Sequence, residues 1–335
     1  MGNEVLLEVK NLRTYFFLDE GTVKSVDGAS FDIYRGQTLG VVGESGCGKS
    51  VTARSILRIV DPPGRIVEGQ ILYHRGREVV DLARLDPRSD VIRSIRGAEI
   101  AMIFQEPMTS FSPVHTIGNQ IIEAIRLHQD VSKAQAREQA IAMLHRVGMP
   151  QPERRIDEYP HQLSGGMRQR AMIAMALSCR PKLLLADEPT TALDVTTQAQ
   201  ILEILTSLQR EMGMATVMIT HDLGVVAEVA QWVVVMYLGR VVEVADVRSL
   251  FHDPRHPYTQ ALLQSIPKVG RRSRARLQPV RGMVPNPYNR PRGCLFHPRC
   301  PLSQPGLCDV VTPELVPLGE GRQVSCLRCG RGGQA

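Results

Sequence analysis

With 335 residues, 43% of them hydrophobic and 22% charged, the chain can bury a full-sized core with an appendage or a second domain, and its composition speaks against extensive disorder. Aromatic residues make up only 4%, which leaves few stacking platforms for single-stranded nucleic acid, so no nucleic-acid partner is expected. The net charge of +6 is modest and traces most easily to Arg271-Arg272-Ser273-Arg274-Ala275-Arg276, a run that reads as a solvated linker because its flanks contain no recognition module.

In chain order, the N-terminus has no basic segment leading into a long apolar stretch, so no signal peptide is expected and the chain should stay in the cytosol. Alternation predicts strands at Val5 to Val9 and Ser30 to Tyr34, and a continuous apolar strand at Thr38 to Val42. Gly-rich sequence then opens a helix predicted over Lys49 to Val60, stopped by Asp61-Pro62-Pro63-Gly64. Glu99 to Phe104 reads as a strand ending at Gln105-Glu106-Pro107. From Ile117 to Val147 the period turns helical, with Ile121, Ile122, Ile125, Ala140, Met143 and Leu144 apolar. Leu183 to Ala186 and Ala215 to Thr220 return to buried-strand character. Strands alternating with helices predict an α/β fold with a largely parallel sheet, and the helical stretch between Gln105 and Lys182 an inserted subdomain. The longest apolar run, Trp232 to Leu238, is far short of the roughly 20 residues that cross a bilayer, so membrane attachment is expected through a partner. After about Phe251 the sequence turns rich in Pro, Arg and Cys, which marks a separate C-terminal piece.

Gly43-Glu44-Ser45-Gly46-Cys47-Gly48-Lys49-Ser50 fits G-x4-G-K-[ST] between a predicted strand and a predicted helix. Roughly one random chain in a hundred of this length would carry the motif, and the strand–loop–helix context is what a phosphate-binding loop requires. Backbone N–H groups and the helix N-terminus supply positive potential. Lys49 would reach the β- and γ-phosphates and the Ser50 hydroxyl would ligate Mg²⁺, with Val51 following in the site. Cys47 reads as a small filler, not a nucleophile. Lys182 to Glu188 is an apolar strand ending in two carboxylates, a weak signal alone because many strands end in acidic caps. There Asp187 could hold the Mg²⁺ shell and Glu188 could face an attacking water.

Leu163-Ser164-Gly165-Gly166-Met167-Arg168-Gln169-Arg170 decides the family. The sequence resembles the ABC ATPases, whose signature is of this L-S-G-G-Q type, with Met167 replacing Gln as in the peptide-importer branch. The resemblance spans about residues 5 to 250. It implies a P-loop NTPase (RecA-like) core with an N-terminal antiparallel β subdomain, an inserted helical subdomain at about 106–180 and a small Cys-rich C-terminal domain, divided as 1–250 and 251–335. It also implies that Phe16, beside Tyr15, stacks adenine, that Gln105 senses Mg²⁺ and the transmembrane partner, and that Thr191-Ala192-Leu193-Asp194 contacts the dimer partner. His221, which alone would more often be structural, becomes the switch histidine at the γ-phosphate. Leu163 to Met167 would act on ATP held by a second ATPase subunit, identical or similar but distinct. Two permease subunits and an extracytoplasmic solute-binding protein would complete an importer, with this chain on the cytoplasmic face of the membrane.

The seven cysteines are unevenly spread: Cys47 and Cys179 stand alone, while Cys294, Cys300, Cys308, Cys326 and Cys329 crowd the C-terminal end. In a cytosolic chain such a cluster points to metal or cofactor ligation before disulfides. Spacing alone leaves a Cys₄ zinc site, an iron–sulfur cluster and unligated thiols all open. His256 to Leu263 and Arg299-Cys300-Pro301 resemble the extension of oligopeptide/dipeptide importer ATPases, which implies a 4Fe–4S cluster on Cys294, Cys300, Cys308 and Cys326, with Zn²⁺ the alternative. Cys326-Leu-Arg-Cys329 leaves the fourth ligand open between Cys326 and Cys329. Two other classes compete: an ABC ATPase acting on DNA or ribosomes, which usually has two cassettes or a long coiled coil, and a sensor built around the cysteine tail.

Overall fold

A computed structural model describes residues 4–106, 110–191, 193–265 and 280–329. The basic run at 271–276 and parts of two predicted segments, Pro107 and Ala192, lie outside these residues. Strands β1 (Val5–Leu18), β2 (Gly21–Tyr34) and β3 (Thr38–Val42) come first, followed by helix α1 (Lys49–Ile56). Strands β4 (Gly64–Arg75) and β5 (Glu78–Asp81), helix α2 (Asp90–Ile95) and strand β6 (Ile100–Ile103) come next. Helices α3 (Ile117–His128), α4 (Lys133–Arg146), α5 (Pro152–Arg155) and α6 (Gly165–Leu177) then run without an intervening strand. Alternation resumes with β7 (Leu183–Asp187), α7 (Val195–Met212), β8 (Ala215–Ile219), α8 (Leu223–Val229), β9 (Trp232–Tyr237) and β10 (Arg240–Asp246). Helices α9 (Val247–His252) and α10 (Pro257–Gln264) and the short strands β11 (Val316–Gly319) and β12 (Arg322–Val324) end the chain.

The described residues cluster into two compact units. One is drawn from Met1–Glu4, Tyr34–Gln37 and Leu85–Ile219. Its strands β6, β7 and β8 pair in parallel, with Ile100 opposite Leu183 and Asp187 opposite Ile219. Every residue of the three is buried, which is why they read as unbroken apolar runs and not as alternation. The helices of this unit are set by their caps. Ser132 and Gln135 form a reciprocal capping box that starts α4, so the helical stretch expected from Ile117 to Val147 is two helices and not one. Ser164 caps α6 and Asp194 caps α7.

The second unit is drawn from Val5–Ile33, Thr38–Arg84 and Thr220–Ala335. It contains a four-stranded sheet in the order β2-β1-β4-β5, with β1–β4 and β4–β5 antiparallel. In it also β3 pairs in parallel with β9, and β10 joins β9 and β12 antiparallel. Helix α1 stops at Ile56, short of the expected Val60, because Arg58 turns into the left-handed region at φ 56°. The core of this unit joins Val42, Val226, Val233, Val235 and Tyr237 to Tyr258 and Phe296 from beyond residue 250. The three rings meet with centroids 4.7 to 5.4 Å apart. Burying Phe296 completely stabilises this packing by roughly 2–3 kcal/mol. Among the described residues no helix is long and apolar enough to cross a membrane.

Candidate functional site: a phosphate loop, an acidic strand end and a capped signature helix

Residues 43–50 turn from β3 into α1 through two positions that only glycine can occupy. At Gly43, φ +152°, a Cβ would lie 2.2 Å from the Met236 carbonyl oxygen. At Gly48, φ +98°, it would lie 2.2 Å from the Ser25 carbonyl oxygen. Backbone fills both places, so the loop is seated directly on its neighbours. Gly46 differs: a Cβ there meets nothing within 4 Å, and with Ser45 it forms the loop's exposed crest. The Lys49 ammonium, 6% exposed, folds back under the loop and donates to the carbonyls of Gly43 (2.8 Å) and Glu44 (3.1 Å). Cys47 is buried beside it, and burial pushes its thiol pKa up, so it carries no thiolate at neutral pH. Ser50 and Val51 stand half-buried in the first turn of α1.

On β1, Tyr15 donates to Asp27 at 2.6 Å, and burial with that carboxylate pushes its phenol up to about 12. Phe16 faces Gly64 of β4, where a Cβ would lie 2.5 Å from its ring, so the glycine leaves room for the ring. His221 follows Thr220 and is exposed, and its neighbour Asp222 caps α8 through the N–H groups of Gly224 and Val225.

In the other unit, Asp187 is 2% exposed at the end of β7. Glu188 leaves the strand at φ +46°, a conformation that costs about 1–3 kcal/mol for a non-glycine residue. Its N–H is held by the Ile219 carbonyl at 2.9 Å. One oxygen of its carboxylate accepts from Gln105 Nε2 at 3.0 Å and from Thr191 Oγ1 at 2.9 Å. The structure therefore brings Gln105 and Glu188 together, with Thr191 as a third member whose contact with the carboxylate the sequence did not suggest. Leu163 is buried, and Ser164 and Gly165 are exposed at the start of α6. The Ser164 hydroxyl accepts from Met167 N–H at 3.4 Å, and a Cβ on Gly166 would sit 3.0 Å from a Thr197 methyl. Asp194 accepts from the backbone and hydroxyl of Thr197, which holds its carboxyl below the usual range.

A family model described as ABC transporter matches residues 26–191, and one described as oligopeptide/dipeptide transporter, C-terminal region, matches 242–308. The chain is 50% identical over 321 residues to the dipeptide transport ATP-binding protein DppD of Escherichia coli, which spans 96% of both chains. It is 47% identical to DppD of Bacillus subtilis, over 96% of this chain and 94% of that one. The chain belongs to the ABC transporter family. As a member it is an ATPase subunit. It also resembles, at 26% identity and TM-score 0.64, the ATP-binding cassette MJ0796, solved as a dimer in a post-hydrolysis state bound to ADP and Pi; 72% of this chain and 99% of that one are covered. ATP and Mg²⁺ are what an ABC ATPase uses.

The C-terminal segment of this ABC ATPase approaches the phosphate loop, which sequence spacing did not indicate. Arg299 donates to both oxygens of the Glu44 carboxylate at 2.7 and 2.9 Å, and Glu44 N–H donates to the Tyr258 hydroxyl at 2.8 Å. Further along, Cys294, Cys300, Cys308 and Cys326 line one small cavity with Phe296 and His256. Burial pushes the Cys294 thiol up to about 11, and burial with the neighbouring Cys326 pushes Cys329 up to about 12. The donor set suits iron or zinc, since four thiols share one enclosure. However, among the described residues no group of three or more His, Cys, Asp or Glu is arranged to hold a metal ion. The expected 4Fe–4S or zinc ligation is thus not seen in the geometry: Cys308 is buried, Cys294, Cys300, Cys326 and Cys329 are half-buried, and they lack the closed arrangement that a ligand set requires.

Proposed function

We propose that this ATPase powers the import of peptides through an ABC transporter, with ATP binding closing a pair of ATPase chains and hydrolysis reopening them. The observation that carries this reading is the Lys49 ammonium, buried and aimed by the carbonyls of a loop whose glycines are fixed by neighbouring backbone. Such a loop offers N–H groups and one cation to a triphosphate, with Lys49 exchanging its carbonyl partners for phosphate oxygens on binding. In this reading Phe16 stacks adenine, the loop from Gly43 to Val51 cradles the phosphates, and Lys49 neutralises the β- and γ-phosphates. Ser50, Gln105 and Asp187 hold Mg²⁺, which offsets phosphate charge when bound. Glu188 orients or deprotonates the attacking water, and His221 holds the γ-phosphate. The Gln105–Glu188 bond supports a shared role for the two, since any change at one is felt at the other. Ser164, Gly165 and Gly166, with Leu163 and Met167 behind them, serve the nucleotide of the second ATPase chain, and Asp194 contacts that chain.

We assign 1–250 to the nucleotide-binding domain, with a helical subdomain at about 106–180, and 251–335 to the C-terminal extension. Two permeases engage the 105–116 region and the helical subdomain, an extracytoplasmic binding protein delivers the solute, and the chain sits at the cytoplasmic face. The dipeptide transport relatives support peptides as the solute. Cys294, Cys300, Cys308 and Cys326 are the residues that would hold a 4Fe–4S cluster, with a structural or regulatory role; iron and sulfide in an anaerobic preparation support this, and one zinc per chain without iron contradicts it.

The test is co-expression with the neighbouring permease genes. Permeases that co-purify in detergent, with dipeptide-stimulated ATPase that is lost in Lys49→Ala, support the proposal. Purification with ribosomes or DNA and without membrane partners contradicts it.

A further inference from the structure

Glu44 is an acidic residue inside a loop that, on the reading above, must receive a polyanion. Left alone, its carboxylate would repel the phosphates. In the structure Arg299 pairs with its carboxylate and Tyr258 holds its backbone N–H. The Arg299 guanidinium, 7% exposed as a residue, pairs with both carboxylate oxygens and also donates to the Tyr237 hydroxyl at 3.3 Å. Its Nε donates to the Arg281 carbonyl at 2.9 Å, which fixes the fork from the opposite side. Tyr258, fully buried, takes the Glu44 N–H, and the Glu44 carbonyl takes Lys49 Nζ at 3.1 Å. A continuous chain of polar contacts therefore runs from the C-terminal segment through Glu44 to the lysine that would meet the phosphates. Bidentate arginine–carboxylate pairs are strong and geometrically selective, and in this one the arginine side is buried while the Glu44 side chain stays a quarter exposed.

We propose that Arg299 is a positioning residue for nucleotide binding: it neutralises and fixes Glu44 so that the loop's Lys49 and N–H groups face ATP without an opposing charge. This rests on the reading of residues 43–50 as the phosphate loop. Arg299 does not touch the nucleotide; it acts through Glu44. The C-terminal extension thereby becomes part of the ATP site and not a detachable appendage.

The full-length chain is titrated with a fluorescent ATP analogue and Mg²⁺, and KM and kcat for ATP are measured alongside melting without nucleotide. Arg299→Ala is expected to weaken analogue binding and raise KM about tenfold, with kcat changed less than threefold. Arg299→Lys, which keeps one charge, should stay within threefold of the parent. Adding Glu44→Gln to Arg299→Ala should restore affinity to within threefold, because the repelling carboxylate is gone; a purely structural role for Arg299 would not be rescued this way. Where Arg299→Ala fails to fold, the Arg299→Gln/Glu44→Gln pair, uncharged and able to hydrogen-bond, is compared with Arg299→Gln alone. Equal binding by the parent and the single variants, or no rescue by Glu44→Gln, overturns the inference alone. A parent chain that binds no nucleotide, with Lys49→Ala indistinguishable from it, overturns the phosphate-loop reading instead.

Discussion

Glu188 leaves β7 with a left-handed backbone and a carboxylate that accepts from both Gln105 and Thr191. An amide oxygen has two lone pairs, so Glu188→Gln can keep both contacts while losing the charge. The expected outcome is unchanged Mg-ATP binding with phosphate release slowed roughly 10²–10⁴-fold, the range for removing a general base. Near-normal turnover would remove Glu188 from its assigned role. The positions of these side chains were legible in the sequence because they sit in local motifs: a glycine pattern with Lys49, an apolar strand ending in Asp187-Glu188, and Ser164 before two glycines. Arg299 and Tyr258 were not legible as neighbours of the loop. They meet Glu44 across 255 and 214 residues of chain, and no spacing rule reports such a contact.

At the scale of elements, the phosphate loop and α10 each make a distinct prediction. In the loop, Gly48→Ala drives a Cβ into the Ser25 carbonyl, whereas Gly46→Ala meets open space and pays only for its φ of +78°. Gly48→Ala should therefore cost at least about 2 kcal/mol and abolish ATP binding, and Gly46→Ala about 1 kcal/mol by thermal melting. Equal losses would mean that the packing around the two glycines differs from that described. Helix α10 is capped by His256, whose Nδ1 accepts from Tyr258 N–H at 3.0 Å. Complete burial lowers the His256 pKa from an ordinary 6.5 to about 3. The folded state thus keeps this ring neutral while the unfolded chain protonates it below pH 6.5, so its contribution is whole above that pH and falls as pH drops toward 3. At pH 5 it has lost about 2 kcal/mol. His256→Asn keeps a capping acceptor without a titrating group, so its melting temperature should fall less between pH 7.5 and 5 than the parent's. A matching fall would place the acid sensitivity elsewhere. Strands β3, β7 and β8 were readable almost to the residue, since burial on both faces leaves unbroken apolar runs. Strand β4 was missed because Pro62-Pro63-Gly64 reads as a stop and Arg65, Glu68, Gln70 and His74 break the apolar pattern on an open sheet. β1 outran its prediction because register shifts between Lys10 and Thr14 break the alternation.

Over the whole molecule, the family resemblance covers nearly the entire chain, and the C-terminal family model, at residues 242–308, begins before the region where composition changes and runs through it. The tail, which looked separate from composition alone, places Tyr258 and Phe296 in the same apolar cluster as Val42, Val233 and Val235. Burial in a shared core cannot be inferred from a Pro- and Arg-rich sequence, because its few apolar residues carry no periodicity. Removing residues after 250 should therefore destabilise the remainder and not merely shorten it. A truncated chain with an unchanged melting temperature would contradict that.

The most direct test is the structure of the assembled transporter with Glu188→Gln in this chain, trapped with Mg-ATP. The account predicts ATP enclosed by Gly43 to Ser50 of one ATPase chain, with the γ-phosphate contacted by the Ser164-Gly165-Gly166 segment of the other. Nucleotide bound at the loop while every signature segment stays remote from a γ-phosphate would contradict it.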